Sequence, residues 1–410
     1  MGYLATDPHR TEIRSDLACP ARNQTHLPQL DGLRAIAVIG VLISHFFPST
    51  DYLYWLSSTL PWGFLGVRLF FVISGFLISG ILLERRDAIL LGKQTCANAL
   101  ASFYARRILR ILPIFYLTLL VAYVCDVGNI REIIKWHLFY LSNFEPAMIV
   151  DFKNPSPRDP TSAHFWSLAV EEQFYLLWPA ILLNLDQVRA KHFILAMICV
   201  AVGWRAGWLL FVPSLPSMSL LSCLDSLGMG ALLAIWIHGG QAHFDRTTKV
   251  TLAAGMLLLA ACCVASAFGI LFRPRAVLMD LGASIVFAAL VYRATQGRKD
   301  LLGKTLQWGP LLYIGKISYG IYIYHAFMSP LLVWIWSQAD LPAVSPNSVI
   351  IPLTLCAMTI IVASFSWYLI EQPINRLKRF IPRGPSPELP PRDANGSVST
   401  ASAPAANIAG

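Results

Sequence analysis

Charged residues are scarce in this sequence. Only 13% of the 410 residues are Asp, Glu, Lys or Arg, whereas soluble domains carry about 25%. Apolar residues make up 56% of the chain, and they stand in long blocks instead of alternating with polar residues as they do along a soluble amphipathic helix. Blocks of about 20 apolar residues match the thickness of a bilayer. The composition therefore excludes an ordinary soluble enzyme and predicts a polytopic membrane protein.

Three further features are missing, and each excludes a class of protein. The eight cysteines show no C-x-x-C spacing, and most lie inside apolar blocks, so neither a metal site nor a disulfide framework is expected. The net charge of +9 comes from short basic stretches between apolar blocks, which excludes a nucleic-acid partner. Residues 1–29 lack the apolar core of a signal peptide, so the first apolar block is expected to be an uncleaved signal anchor.

The apolar blocks predict an all-α fold, a polytopic transmembrane helix bundle. About ten blocks are long enough to span a membrane and to contact its lipids. Segment 131–143 is too short and too mixed to span, and is expected to lie on the surface. The ten blocks lie near 33–47, 64–83, 108–125, 165–185, 193–212, 218–238, 250–272, 276–294, 311–335 and 348–370.

The distribution of Lys and Arg predicts the orientation of the bundle. Basic residues concentrate in every second segment between blocks, which places both termini in the cytoplasm by the positive-inside rule. An even number of spans is then required, in agreement with ten. We expect a multi-pass protein of the cell inner membrane with a cytoplasmic N-terminal segment (1–29), a membrane domain (30–376) and a disordered cytoplasmic tail (377–410) rich in Pro, Ser and Ala.

Ionisable residues inside apolar spans are costly and usually functional, and the first span contains two. Arg34 opens that span, and His45 follows eleven residues later. Eleven residues turn a helix by three turns plus roughly 20°, so both side chains share one face about 16 Å apart along the axis. Arg34 is expected at the cytoplasmic end and His45 in the outer half. A snorkelling arginine and an unrelated histidine would be the plainer interpretation.

A cluster of arginines stands where the third apolar block begins. Arg106 and Arg110 are four residues apart, and Arg107 and Arg110 are three apart, so they form one cationic face of a helix. An ordinary basic flank of a span would look the same. Together with Arg34, the cluster is a candidate cytoplasmic site for phosphate groups, such as those of coenzyme A.

The fourth block carries two adjacent carboxylates, Glu171 and Glu172. Glu171 is expected about 9 Å below the outer end of that span, and at least one carboxylate should face a polar cavity. Pairing with an arginine of the bundle is the structural alternative. Ser167 lies one turn earlier, but no G-x-S-x-G pattern surrounds it, and it is expected only to pack.

Three more ionisable residues are predicted at the same depth. Arg68 lies early in the second block, Asp225 about 10 Å into the sixth, and His325 beyond the middle of the ninth. All three are expected in the outer half of the bundle, beside His45 and Glu171. The pattern therefore predicts one polar site that opens outward and a separate basic cluster that faces the cytosol.

At these residues the chain resembles the acyltransferase 3 family of membrane acyltransferases, which typically O-acetylate bacterial surface polysaccharides, lipopolysaccharide or signalling oligosaccharides. One departure is Arg68, where many members have Asp. No hydrolase-like extracellular domain is evident, and the chain is expected to be the bare membrane module. The matching segments are LDGLRAIAVIGVLISHF (30–46), GFLGVRLFFVISGFLI (63–78), FYARRILRILPIFYL (103–117), HFWSLAVEEQFYLLWP (164–179), YIGKISYGIYIYHAF (313–327) and WYLIEQPINR (367–376).

The resemblance implies a donor, an acceptor and roles for residues. The donor would be cytoplasmic acyl-CoA, most often acetyl-CoA, with no permanently bound cofactor, and the acceptor an oligosaccharide hydroxyl, lipid-linked or exported. The family's Arg-x10-His pair falls on Arg34 and His45. The predicted donor-binding residues are Arg34, Arg107 and Arg110; the predicted catalytic residues are His45, Glu171 and Asp225; and the predicted supporting residues are Glu172, Arg68 and His325.

Three other functions fit part of the sequence. A transporter or flippase of a lipid-linked sugar would share the buried charges, but it should show a repeat or Gly/Pro-broken pairs of spans, and none is evident. An acyltransferase with another acceptor, such as a peptide, an antibiotic or an osmolyte, would look similar. A structural component of an envelope complex would not need Arg34 and His45 on one helix face. The sequence therefore favours O-acyl transfer to a carbohydrate.

Overall fold

The described part of the chain is helical throughout. The computed structural model describes residues 27–47, 61–144, 160–211, 218–240, 244–267, 272–339 and 348–382, and these ranges contain helices and turns but no β-strand. The predicted segments 1–29 and 377–410 lie mostly outside the described residues. The all-α prediction is confirmed.

Fourteen α-helices are numbered here in chain order within the described ranges. A π-helical turn, Trp367–Glu371, joins the last two, and short 3-10 turns cover Val127–Asn129, Ser142–Phe144, Pro160–Ser162 and Leu377–Phe380. The helices are α1 (Pro28–Phe46), α2 (Trp62–Leu90), α3 (Cys96–Val124), α4 (Ile130–Leu138), α5 (Phe165–Asn184), α6 (Gln187–Phe211), α7 (Leu220–His238), α8 (Phe244–Ala267), α9 (Phe272–Thr295), α10 (Leu301–Leu306), α11 (Gly309–Lys316), α12 (Ser318–Gln338), α13 (Ile350–Ser366) and α14 (Gln372–Arg376).

The helices make this chain a multi-pass membrane protein. A helix lies at each of the ten predicted blocks, and seven helices of the described ranges are apolar and long enough to cross a bilayer. The number of ten spans and the cytoplasmic termini stay predictions. The seven are Pro28–Phe46, Trp62–Leu90, Cys96–Val124, Gln187–Gly207, Leu220–His238, Val277–Thr295 and Ile350–Phe380.

Helix α3 begins twelve residues before the apolar block that predicted it. The side chain of Thr95 accepts a hydrogen bond from the backbone N–H of Asn98, which caps the first turn. At 1.5 Å per residue, Arg107 and Arg110 then lie about 16 and about 21 Å from the start of the helix at Cys96. The arginines are therefore in the middle of a long helix and not at its first turn.

Helices α2 and α7 pack with their backbones in direct contact. A Cβ on Gly75 would lie 2.0 Å from the backbone oxygen of Leu227, and a Cβ on Gly230 would lie 2.1 Å from that of Val72. No side chain fits at such distances, so glycine at both positions lets the two backbones touch, as small residues do between membrane helices. Helix α1 packs on the other side of α2.

Helix α4 and the turn after it pack into the bundle. Ile133 and His137 are buried, and Gln173, two turns into α5, donates to the backbone oxygen of Tyr140 over 2.8 Å and pairs with Asn143. Tyr140 has a φ of 53°, which is rare for a bulky residue. The expected surface position of segment 131–143 agrees with the exposure of Arg131, Glu132, Lys135, Leu138, Phe139 and Leu141. Its other face packs inward, because the polar turn finds partners on α5.

Candidate active site

A cavity in the middle of the bundle gathers most of the predicted site residues. It lies between α1, α2, α3, α5 and α12, and we call it the arginine cavity. Three arginines and two glutamates face a wall of hydroxyl and apolar groups. Its lining residues are Arg34, Val67, Phe70, Phe71, Ile73, Ser74, Leu77, Arg107, Arg110, Ile111, Ser167, Leu168, Glu171, Glu172, Tyr175, Ser318, Tyr319 and Tyr322.

The three predicted phosphate-binding arginines meet in this cavity. Arg34 forms an ion pair with Asp31, Nη1 to Oδ1, over 2.8 Å, and Arg107 lies with its guanidinium carbon 4.5 Å from the ring centre of Tyr175. Such stacking on an aromatic face fixes a guanidinium while its N–H groups stay available to a ligand. Arg110 lies one turn further along α3. The prediction that these three residues meet is correct.

The predicted carboxylates share the cavity with the arginines. Ser74 donates to Oε1 of Glu171 over 2.7 Å, and Tyr175 donates to Oε2 over 3.1 Å. Glu172 lines the same space. We expected Glu171 in a separate outer pocket beside His45. Glu171 instead lines the same cavity as Arg107, because α3 and α5 face each other there.

Ser74 and Tyr175 were missed by the sequence reasoning. Both are neutral at physiological pH, and only charged or readily charged groups inside a span are costly enough to indicate a site. Each stands within a segment that carries the family resemblance, Ser74 in 63–78 and Tyr175 in 164–179. Asking which hydroxyl lies one helical turn from Glu171 would have found Tyr175, because residues four apart share a face.

Three histidines form a second group, which we call the histidine cluster. The ring centroids of His45 and His325 lie 4.8 Å apart, and those of His164 and His325 lie 4.7 Å apart. His325 is fully buried and His164 nearly so, while His45 is exposed. His45 and His325 were expected beside each other, and their rings are in contact. The sequence predicted no part for His164 beyond the first residue of its span.

Tyr322 connects the arginine cavity to the histidine cluster. Its ring lines the cavity, its hydroxyl donates to the backbone oxygen of His164 over 3.0 Å, and its own backbone oxygen lies 2.7 Å from Nδ1 of His325. The hydroxyl of Ser167 also bonds to the Tyr322 hydroxyl. Ser167 therefore does more than pack, and these two hydroxyls form the boundary between the two groups.

Arg68 and Asp225 belong to a separate, fully buried network of four charges. Arg68 bonds to Asp280 and to Asp225, and Arg205 reaches Asp225 over 2.7 Å and Asp280 over 3.5 Å. The two positive and two negative charges balance. Asp280 and Arg205 were missed, although each is an ionisable residue inside a predicted block.

This network changes the expected parts of two residues. The carboxylate of Asp225 is held by Arg68, Arg205 and the backbone N–H of Ser226, and the described contacts include none between Asp225 and His45. Arg68 finds its charge partners on α7 and α9. Neither residue lines the arginine cavity.

Comparison with known proteins agrees with this arrangement. The sequence model of the acyltransferase 3 family, described as "Acyltransferase domain", matches residues 27–370. The chain belongs to this acyltransferase family. The matched range contains the arginine cavity, the histidine cluster and the buried charge network.

The acyltransferase is similar to named bacterial enzymes. It is 30% identical over 376 residues to the peptidoglycan O-acetyltransferase OatA of Listeria monocytogenes, covering 86% of this chain and 56% of that protein. It is also 30% identical over 371 residues to the O-acetyltransferase OatA of Staphylococcus aureus, covering 86% of this chain and 57% of the relative. The chain thus spans little more than half the length of these relatives. No solved structure matches it.

Proposed function

We propose that this acyltransferase is an O-acetyltransferase of the inner membrane, which moves an acetyl group from cytoplasmic acetyl-CoA to a hydroxyl of a cell-envelope carbohydrate. The observation that carries the proposal is the contact, through Tyr322, between a cavity holding three arginines and a cluster holding three histidines. The arginine cavity has cations that can bind a phosphorylated donor, and the histidine cluster has a base that can deprotonate a hydroxyl.

The donor part of the proposal rests on Arg34, Arg107 and Arg110. Guanidinium groups bind phosphate oxygens through charge-assisted, often bidentate hydrogen bonds. In the arginine cavity these groups stand beside apolar side chains such as Phe70 and Leu77, which suit the pantetheine arm of coenzyme A. The thioester end of the donor would then lie against Tyr322 and Ser167.

The acceptor part of the proposal rests on the tautomer of His45. Its Nδ1 lies 2.8 Å from the backbone oxygen of Val41. A carbonyl oxygen only accepts hydrogen bonds, so Nδ1 carries the proton and a neutral His45 presents the lone pair of Nε2. This is the arrangement that a general base requires, with one nitrogen anchored and the other able to take a proton. The exposed position of His45 gives an acceptor access to that nitrogen.

The proposed reaction has two proton movements at Nε2 of His45. The nitrogen takes the proton of the acceptor hydroxyl while the hydroxyl oxygen bonds to the thioester carbonyl carbon. The carbon–sulfur bond then breaks, and the leaving sulfur takes the proton back from His45, which yields the O-acetyl ester and free coenzyme A. Brief transfer of the acetyl group to Nε2 itself is the covalent variant of this scheme.

Glu171, predicted to be catalytic, has a supporting part in this scheme, as Glu172 was predicted to have. Hydrogen bonds from Ser74 and Tyr175 hold Glu171 within the arginine cavity. Two carboxylates beside three arginines offset most of the positive charge of an empty cavity, and they keep the guanidinium groups apart. We propose that they position the arginines for the donor and do not orient His45.

The acceptor class is proposed from the relatives. One of them is named a peptidoglycan O-acetyltransferase, and peptidoglycan is a carbohydrate polymer with free hydroxyls. A lipid-linked oligosaccharide on the outer leaflet would meet His45 from the same side. A carbohydrate hydroxyl is therefore the acceptor we propose for this chain.

The experiment compares cells that produce the wild type with cells that produce His45→Ala. Mass spectrometry of envelope glycans should show acetyl ester in the first and none above background in the second, at equal protein levels in the membrane. The matched control is His192→Ala, because His192 is exposed on α6 and has no place in the scheme. Normal acetylation by His45→Ala would remove His45 from the mechanism.

The same strains separate acetyl transfer from sugar transport. A flippase of a lipid-linked sugar would change the amount of exported glycan and leave its acetyl content unchanged. Binding of acetyl-CoA to purified protein in nanodiscs, measured by calorimetry, tests the donor directly. Protein that binds no acetyl-CoA at millimolar concentration would contradict the proposed donor.

A further inference from the structure

Two neighbouring helices give positions along the length of the arginine cavity. On α2 and α5, residues one helical turn apart line the cavity: Phe70 and Ser74 on the first, and Ser167, Glu171 and Tyr175 on the second. Ser74 donates to Glu171 and accepts from Tyr175, so the two helices run side by side. Because four residues rise about 6 Å along a helix, these rows show which lining residues stand near which end.

The arginines and the histidine cluster lie toward opposite ends of these rows. The guanidinium carbon of Arg107 is 4.5 Å from the ring centre of Tyr175, and Tyr175 is two turns, about 12 Å, from Ser167 along α5. The histidine cluster lies at the Ser167 end, because Ser167 and the backbone oxygen of His164 both bond to the hydroxyl of Tyr322. A donor that binds Arg107 through its phosphates therefore has its thioester toward Ser167.

Phe70 stands at the Ser167 end of the cavity, next to the proposed position of the thioester. Its ring centroid is 6.2 Å from that of Tyr322, with 72° between the two planes, which is the edge-to-face geometry that aromatic pairs prefer. Tyr322 is buried, and hydrogen bonds hold its hydroxyl. The acyl group of a bound donor would therefore meet an aromatic ring that packs against a fixed neighbour.

We propose that the ring of Phe70 limits the acyl group of the donor to two carbons and thereby selects acetyl-CoA over longer acyl-CoA donors. The inference rests on the proposed function, in which the thioester lies against Tyr322 and Ser167. Each carbon beyond the acetyl methyl extends the acyl group into the space that the rings of Phe70 and Tyr322 fill. A packed wall does not accept added methylenes without cost, so longer donors bind less well.

The side chains around Phe70 make this end of the cavity apolar. Val67 and Phe71 flank Phe70 on α2, line the cavity and are buried. Leu168 lines it from α5, directly after Ser167, and is also buried. Apolar walls distinguish ligands by size and not by hydrogen bonding. The length of the acyl chain is therefore the property that this end of the cavity selects.

The test compares three donors that differ by one methylene each: acetyl-CoA, propionyl-CoA and butyryl-CoA. Membranes of cells that produce the full chain supply the envelope acceptor, and release of free coenzyme A is measured with the rate of His45→Ala membranes subtracted. Since one methylene in a fitted pocket changes kcat/KM by about tenfold or more, we expect the wild type to favour acetyl-CoA over butyryl-CoA at least tenfold. In Phe70→Ala this preference should fall at least tenfold.

Two further variants show whether the size of Phe70 is responsible. Phe70→Leu keeps part of the side chain and should give an intermediate donor preference, and it decides the question if Phe70→Ala does not fold. Leu77→Ala is the matched control, because Leu77 lines the cavity about 10 Å further along α2 and should affect all three donors alike. An unchanged donor preference in the folded Phe70 variants, or an equal change in Leu77→Ala, would overturn the inference.

Calorimetry with purified protein in nanodiscs separates failure of this inference from failure of the proposed function. Butyryl-CoA should bind the wild type at least tenfold more weakly than acetyl-CoA, and Phe70→Leu should reduce that difference. Turnover with an unchanged donor preference in the Phe70 variants contradicts the inference alone. Binding that depends on chain length and on Phe70, without any turnover, contradicts the proposed function alone. A wild type that binds none of the three donors contradicts both.

Discussion

The hydroxyl of Tyr322 shares a hydrogen bond with the hydroxyl of Ser167 at the boundary between the arginine cavity and the histidine cluster. Removing it with Tyr322→Phe keeps the ring in place and loses the polar contact. Since a buried hydrogen bond contributes about 1 kcal/mol, we expect kcat for coenzyme A release to fall about fivefold. The matched control is Tyr324→Phe on the same helix, whose hydroxyl bonds to Ser366; equal losses in both variants would show that the boundary has no special part.

We expect Arg107 to affect binding of the donor more than the rate of the chemical step. Arg107→Ala removes one charge-assisted phosphate contact, worth about 1.5–3 kcal/mol, so KM for acetyl-CoA should rise at least tenfold. Arg107→Lys should recover only part of this loss, because an ammonium group cannot reproduce a planar, stacked guanidinium. Arg189→Ala is the control, since Arg189 is exposed and its ion pair is with Asp186 on the same helix end. Unchanged donor KM in Arg107→Ala would take Arg107 out of the donor site.

Variants of the buried charge network distinguish a structural role of Asp225 from a catalytic role. Asp225→Asn leaves the two arginines with one carboxylate and should destabilise the protein by about 3–5 kcal/mol, as removal of one partner from a buried ion pair does. Asp280→Asn should lower the thermal unfolding midpoint in nanodiscs similarly, because Asp280 contacts the same arginines. Loss of turnover in Asp225→Asn at an unchanged unfolding midpoint would instead support a catalytic part.

The contact between α2 and α7 should tolerate no added methyl group. Gly75→Ala would place a Cβ 2.0 Å from the backbone oxygen of Leu227, so the helices must separate, and we expect much less folded protein by size-exclusion chromatography. Gly80→Ala on the same helix is the control, with nothing within 4 Å of the new Cβ, and the higher helix propensity of alanine should leave it at least as stable as the wild type. Wild-type yields for Gly75→Ala would contradict the described packing.

The amino-acid sequence by itself determined the class of this protein and the charged side chains of its arginine cavity. Apolar blocks of bilayer length can only become helices, because a backbone in lipid must satisfy its own hydrogen bonds. Ionisable residues within those blocks, such as Arg107, Glu171 and His45, are too costly to lie in lipid without a function. Because of that cost, residue type and position along the chain are enough to identify them as site candidates.

Only the tertiary structure decided which of these residues meet. Hydropathy detects the apolar part of a helix but not its capped polar start, so α3 was predicted to begin twelve residues late and Arg107 was expected at the first turn of a helix instead of its middle. The depth of a residue in its span also does not show which neighbouring helix its side chain faces. The contacts of Asp225 with Arg205 and of His45 with His325 follow from how the helices rotate and pack, which side-chain shape across several helices determines together.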